Sequence, residues 1–373
     1  MHTRLVGLAL VVSLVGTPKF AASQGATTPA QARTLLSALA DDSMQGRATG
    51  TPGAARAAKM IAETMRRVGL TPAGDSGFIQ RAAVTMDSVA MPATRRVADG
   101  TDSAGRPRFR NERVDGPPVM RVTQRVRNTL ADLDTVPAGR RVQALNVVGM
   151  IKGSDPALSN EYVLVDAHYD HLGVGRPVNG DSIYNGADDD ASGVVAVLEI
   201  ARQFMQGPAP KRTMVFMATT GEERGLLGTR WYIAHPVIPL DRMAANLEIE
   251  MIGRPDSLAG GPGRAWLTGY ERSTMGDALA KAGIPIVPDK RLDQQFFQRS
   301  DNIAFAQAGI PAHTLSSFNL HTDYHRPSDD VSHVDFDHMA SVINAAAKAA
   351  RLLTDGPKPE WKPGGRPVAP QRP

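Results

Sequence analysis

From residue 145 onward the chain alternates between two hydrophobic rhythms. Short, almost continuous apolar runs occupy 146–151, 162–167, 213–218, 246–251 and 312–315. Runs of this kind, rich in Val, Ile, Met and Leu, predict strands covered on both faces. Between them, 192–205, 274–282 and 336–353 carry apolar residues at helical spacing. Strands alternating with amphipathic helices predict an α/β domain with a mainly parallel, mixed central sheet and helices on both faces. In such sheets ligands collect beyond the carboxyl ends of the strands.

Upstream the pattern is weaker. A helix is predicted over 29–40, followed by a glycine-punctuated loop over 41–53. Met60, Ile61, Met65 and Val68 predict a helix over 54–68, which Gly69 ends. The stretch 85–141 is rich in Arg, Asp, Pro and Gly and reads as an irregular insert; Val119, Arg121, Thr123 and Arg125 alternate within it as an exposed antiparallel strand would. Its arginines Arg106, Arg108, Arg110 and Arg113 read as a solvated face. The Pro- and Gly-rich stretch 356–373 is predicted to be disordered.

At the start, His2 and Arg4 precede an apolar run over 5–16, and small residues follow at Ala21, Ala22 and Ser23. That is the layout of a secretory signal peptide over 1–23, and the run is too short to span a bilayer. The expected mature protein is one domain over 24–355, secreted or periplasmic and without a membrane span.

Composition narrows the chemistry. The 373 residues contain no cysteine, which excludes disulfides, thiolate-bound metal and a thiol nucleophile. The net charge of +4 is spread among interspersed acids and bases, so no nucleic-acid partner is expected. No His is followed by Glu, which excludes a helical His-Glu-x-x-His zinc site. No serine elbow or phosphate-binding glycine loop follows a strand.

The candidate chemistry sits where strands end. Ala167-His-Tyr-Asp-His171 follows one apolar run, and there His168 and Asp170 point the same way, so the carboxylate can orient the imidazole. Gly186-Ala-Asp-Asp-Asp-Ala-Ser-Gly193 puts three carboxylates before a helix, more than a cap needs. Thr220-Gly-Glu-Glu-Arg-Gly225 places two adjacent acids after a very apolar strand, so that one can hold a metal while the other faces water. With Glu250 and His325, the set His168, Asp189, Glu223, Glu250, His325 offers two imidazoles and three carboxylates. It suits zinc and suffices for two ions. Glu222 lies beside a ligand and stays free to act as general base, and Asp170 joins it as a candidate catalytic residue.

In order and together, these motifs resemble the M28 family of metallopeptidases, with similarity from about Gln31 to Leu353 outside the insert. The resemblance implies a zinc-exopeptidase fold, phosphorylase/hydrolase-like in its sheet, and two Zn²⁺ per chain. One zinc would be held by His168 and Glu250 and the other by Glu223 and His325, with Asp189 bridging and Glu222 as general base. The implied reaction removes the N-terminal residue of a peptide with a free amine. The family commonly has Asp where this chain has Glu250, and His where it has Asn302. A glutaminyl cyclase or a carboxypeptidase on the same fold is the alternative, the latter with Arg291 or Arg299 gripping a substrate carboxylate; a catalytically inactive binding module is another. Cyclases of this type resemble a one-zinc version of the site.

Overall fold

The computed structural model describes residues 25–101, 105 and 107–368. The expected signal peptide over 1–23 lies outside the described residues. Four parallel strands form the centre of a mixed sheet, in the order Ala312–Ser316, Met243–Ile249, Tyr162–His168 and Thr213–Thr219. Beyond Thr213–Thr219 the sheet continues antiparallel through Arg141–Ile151, Ile79–Met91 and Val119–Val126. At the other edge come Ala265–Leu267 and Ile286–Pro288.

The apolar runs are continuous because both faces of the centre are covered. On one face Val163, Val165, Met214, Phe216, Leu247 and Ile249 meet the helices Pro29–Leu39, Pro52–Val68, Ser192–Gln206 and Phe336–Asp355. The residues between them, Leu164, Val215 and Met217, pack with Tyr232 and Phe305 of the helices Leu227–Ala234 and Asn302–Ala308. A strand buried on both sides has no polar face to show, so period-two alternation vanishes from its sequence.

The insert is more regular than its composition predicts. Ile79–Met91 begins before it and pairs with Arg141–Ile151 and then with Val119–Val126, making a β-arm that prolongs the sheet. The alternation at 119–125 does correspond to a strand. Arg95 pairs with Glu112 across the hairpin Thr94–Thr101/Pro107–Arg113. The stretch from Gly356 is not disordered as far as Val368. Trp361 bridges to Ser273, its indole N–H donates to the Gly309 carbonyl at 2.9 Å, and Lys362 reaches Asp277. A lone aromatic anchored this way overrides a composition that favours disorder. No helix among the described residues is long and apolar enough to cross a membrane.

One buried histidine makes the fold acid-sensitive. His313 donates from Nδ1 to the Thr268 carbonyl at 2.8 Å, so its Nε2 accepts from the Ser273 hydroxyl at 2.7 Å. Burial pushes its pKa down to about 4, from an unfolded value near 6.5. The folded state holds the neutral ring, so its contribution is intact above about pH 6.5 and disappears as pH falls toward about 4, a change of about 3 kcal/mol. The unfolding free energy of the wild type minus that of His313→Gln should therefore shrink between pH 7 and pH 4. A difference that stays constant across that range would contradict it.

Candidate metal centre and active site

Each predicted residue arrives at the same edge of the sheet. His168 is the last residue of the strand Tyr162–His168. Its Nδ1–H donates to the Asp170 carbonyl at 3.1 Å, which leaves the Nε2 lone pair facing Asp189 Oδ1 at 3.4 Å. The expectation for Asp170 changes in one respect, because its carboxylate lies 3.9 Å from Nδ1 and its backbone is the nearer partner. The carboxylate is used elsewhere: it accepts from the Thr49 hydroxyl at 3.0 Å and from the Glu222 N–H at 3.1 Å.

The three consecutive aspartates divide the work. Asp188 accepts from Gly253 N–H at 2.7 Å and meets His321 at 3.0 Å. Asp190 accepts from Gly193 and Met251 N–H, both at 3.0 Å, tying the helix Ser192–Gln206 to the end of the strand Met243–Ile249. Only Asp189 presents both oxygens to the centre, while its own N–H donates to Asp329 at 3.0 Å. Asp189 Oδ2 lies 3.2 Å from His325 Nε2, and Glu223 Oε1 lies 3.3 Å from the same nitrogen. Tyr324 stacks on the His325 ring with centroids 3.8 Å apart, which fixes its plane.

Glu222 and Glu223 occupy a tight turn after the strand Thr213–Thr219. Gly221 opens it at φ +75, and a side chain there would meet Leu227 Cβ at 2.8 Å, so glycine is required. Gly225 N–H then donates to the Glu222 carbonyl at 2.8 Å. Glu222 lines a cavity of about 230 Å³ together with Asp189, Glu223 and Glu250. Glu250 is held through its N–H to the Leu315 carbonyl at 3.0 Å. Glu248, two residues earlier, accepts from the hydroxyls of Ser300 and Thr314 and from the N–H groups of Asp301 and Asn302. Glu248 is therefore committed to structure and Glu250 is free for the centre. Asn302 sits behind that same carboxylate.

Two groups of ligand atoms lie within 4.8 Å of one another: His168, Asp189 and Glu250, and His171, Asp189 and Glu223. Among these atoms, His168 Nε2, His171 Nδ1 and Glu223 Oε1 are buried with no hydrogen-bond partner. His168 Nε2 stands 3.4 Å from Asp189 Oδ1 and His171 Nδ1 2.9 Å from Glu223 Oε1, separations compatible with a shared cation. Ligands at 2.0–2.1 Å around a tetrahedral zinc stand roughly 3.3 Å apart. Buried carboxylates this close are costly without a counter-charge. Burial, with Glu248 alongside, pushes Glu250 up to about 8, and burial raises Glu222 well above its usual range. Glu223 goes the other way: burial and Asp189 act to raise it, but His171 and His325 hold it down at about 2. A divalent cation supplies the counter-charge that such a cluster calls for. The donor set, imidazole and carboxylate without sulfur, fits zinc.

Two contributors carried little or no sequence signal. Arg47, fully buried, donates to the carbonyls of Leu39, Tyr169, Asn185 and Gly186 at 2.6–2.9 Å, clamping both ligand-bearing loops. Burial pulls its pKa down to about 10, with Asp329 and Asp170 opposing, so it is charged at neutral pH. His171 was visible only as the second histidine of its motif. The far wall of the cavity is aromatic: Trp266 stacks on Phe296 at 5.1 Å, and Phe318 joins it to Tyr324. Arg291, a candidate carboxylate clamp, is paired to Asp256 at 2.5 and 2.8 Å, whereas Arg299 reaches the cavity rim over Phe296.

The chain resembles known peptidases in sequence and in fold. The vacuolar membrane protease of Sclerotinia sclerotiorum is 27% identical over 197 residues, covering 52% of this chain and 17% of that protein. The probable leucine aminopeptidase 2 of Aspergillus oryzae is 28% identical over 233 residues, covering 56% of this chain and 44% of that protein. The chain thus spans less than half the length of these curated relatives. In structure it resembles a zinc aminopeptidase from Bacillus subtilis, with a TM-score of 0.58 at 17% identity, covering 91% of this chain and 97% of that one. At that identity the likeness establishes the fold. The family model of peptidase family M28 matches residues 146–350, the segment that carries every ligand candidate, and the chain belongs to that family.

Proposed function

We propose that the protein is an aminopeptidase with two zinc ions, hydrolysing the first peptide bond of a substrate with a free N-terminus. The observation that carries this reading is the cavity. At about 230 Å³ it falls below the usual range for drug-sized ligands, roughly 300–1,000 Å³, and suits a single residue. One wall is carboxylate and attracts an α-ammonium group; the opposite wall is aromatic and accepts an apolar side chain.

When bound, zinc supplies Lewis-acid polarisation of a carbonyl and a lowered pKa for water. His168 and Glu250 would hold one ion and Glu223 and His325 the other, with Asp189 shared between them. Glu222 takes the proton of the attacking water and returns it to the leaving amine. Asp170 acts through Glu222 by accepting its N–H, a positioning role.

A panel of aminoacyl amides beside N-blocked peptides tests this. Free-amine release from the amides, best for apolar side chains, is expected. Release of C-terminal residues from N-blocked peptides would instead support a carboxypeptidase with Arg299 as its clamp; cyclisation of N-terminal glutamine would support the cyclase. Export belongs to the same reading, with 1–23 as a cleaved leader. N-terminal sequencing of extracellular protein that still carried residues 5–16 would overturn that part.

A further inference from the structure

We infer that His171 is a metal ligand, giving the second ion two imidazoles and the two sites unequal character. The inference rests on the two-ion reading above.

The His171 ring is fully buried, and neither of its nitrogens has a hydrogen-bond partner. Nδ1 lies 2.9 Å from Glu223 Oε1 and 3.8 Å from Asp189 Oδ2. Close as these two atoms are, neither has a partner that meets hydrogen-bond geometry. Two donors aimed at a common third point stand in this relation. The same two oxygens are 3.3 and 3.2 Å from His325 Nε2. These four separations, 2.9–3.8 Å, bracket the roughly 3.3 Å between two ligands of a zinc with bonds of about 2.0–2.1 Å. The rings of His171 and His325 meet edge to face, with centroids 5.6 Å apart.

The backbone makes room for this ring. Gly186 has φ +58, and a Cβ there would lie 2.5 Å from His171 Cγ. Arg47 holds the Gly186 carbonyl at 2.8 Å and the Tyr169 carbonyl at 2.7 Å, fixing the loop against the segment that bears His171.

The chemical consequence is asymmetry. Four protein groups (His171, His325, Glu223, Asp189) close one site, whereas three (His168, Glu250, Asp189) leave a position open in the other. A closed four-ligand site is characteristic of tightly held zinc and an open one of catalytic zinc. The open site is then the one that engages substrate beside Glu222.

Metal-free protein titrated with Co²⁺ tests the assignment. The wild type should bind two ions with distinct affinities. Proton NMR of the loaded protein should show three solvent-exchangeable, paramagnetically shifted imidazole N–H signals, from His168, His171 and His325. His171→Ala and His171→Asn should each lose one signal and weaken the tighter site by more than about 100-fold, beyond the 10–100-fold typical of groups that only orient a ligand. The weaker site should change little. Two shifted signals in the wild type would overturn the inference, without needing a folded variant. Two ions bound as tightly in both variants would overturn it as well, leaving the two-zinc reading intact. A wild type that binds no second ion would overturn both.

Discussion

Glu222→Gln should lower kcat by about 10²–10⁴-fold while the purified protein keeps its full metal content. The glutamate stands next to Glu223 on a turn that sends adjacent side chains in different directions, and it belongs to neither group of converging ligand atoms. Glutamine keeps the size and the N–H contact to Asp170, so the turn should survive. What disappears is the capacity to accept a proton. Elemental analysis beside steady-state kinetics separates the outcomes. Loss of an ion with the activity would show that Glu222, not Glu223, holds metal.

The second large effect is expected at Asp189. Its oxygens face different partners, Oδ1 toward His168 at 3.4 Å and Oδ2 toward His325 at 3.2 Å. Asp189→Asn keeps the shape but removes the charge that both sites share, so both ions should be weakened by at least about 100-fold. Activity should fall with them and return only in part at high zinc. Glu250→Ala provides the contrast: it should weaken only the ion shared with His168. Metal content after dialysis reads both variants directly. Asp189→Asn retaining one tightly held ion would show that the carboxylate serves a single site.

The expected pattern at Glu250 also bears on the departure from aspartate at that position. Zinc–oxygen bonds stay near 2.0–2.2 Å, so an extra methylene must be absorbed by the side chain and not by the metal. The backbone helps, since Glu250 N–H is held by the Leu315 carbonyl while Glu248 is fully engaged by Ser300, Asp301, Asn302 and Thr314.

Much of this site was legible in the sequence because it is built at strand ends. A buried parallel strand announces itself as an apolar run, and the polar residue that terminates it is placed by the sheet. That rule puts His168, Glu222, Glu223 and Glu250 near strand ends, while the choice of Asp189 among three acids comes from the resemblance to the family. The sheet and the helices on both faces were determined the same way, by local hydrophobic rhythm. Tertiary structure decided what depends on contacts between distant segments. Arg47 lies in a glycine-rich loop and looks solvated, yet it is buried because four carbonyls from three segments need a donor at that point. Trp361 orders a stretch whose composition favours disorder, because the Gly309 carbonyl and Ser273 wait for it on the domain surface. Glu248 and Glu250 are equivalent in a one-dimensional reading, and only the tertiary contacts, which engage Glu248 with Ser300 and Thr314 and leave Glu250 just past the strand end, separate them. His171 is the clearest case. Its spacing from His168 says nothing about coordination, because the loop between them has no fixed period, and only the folded chain brings its ring against Glu223 and Asp189.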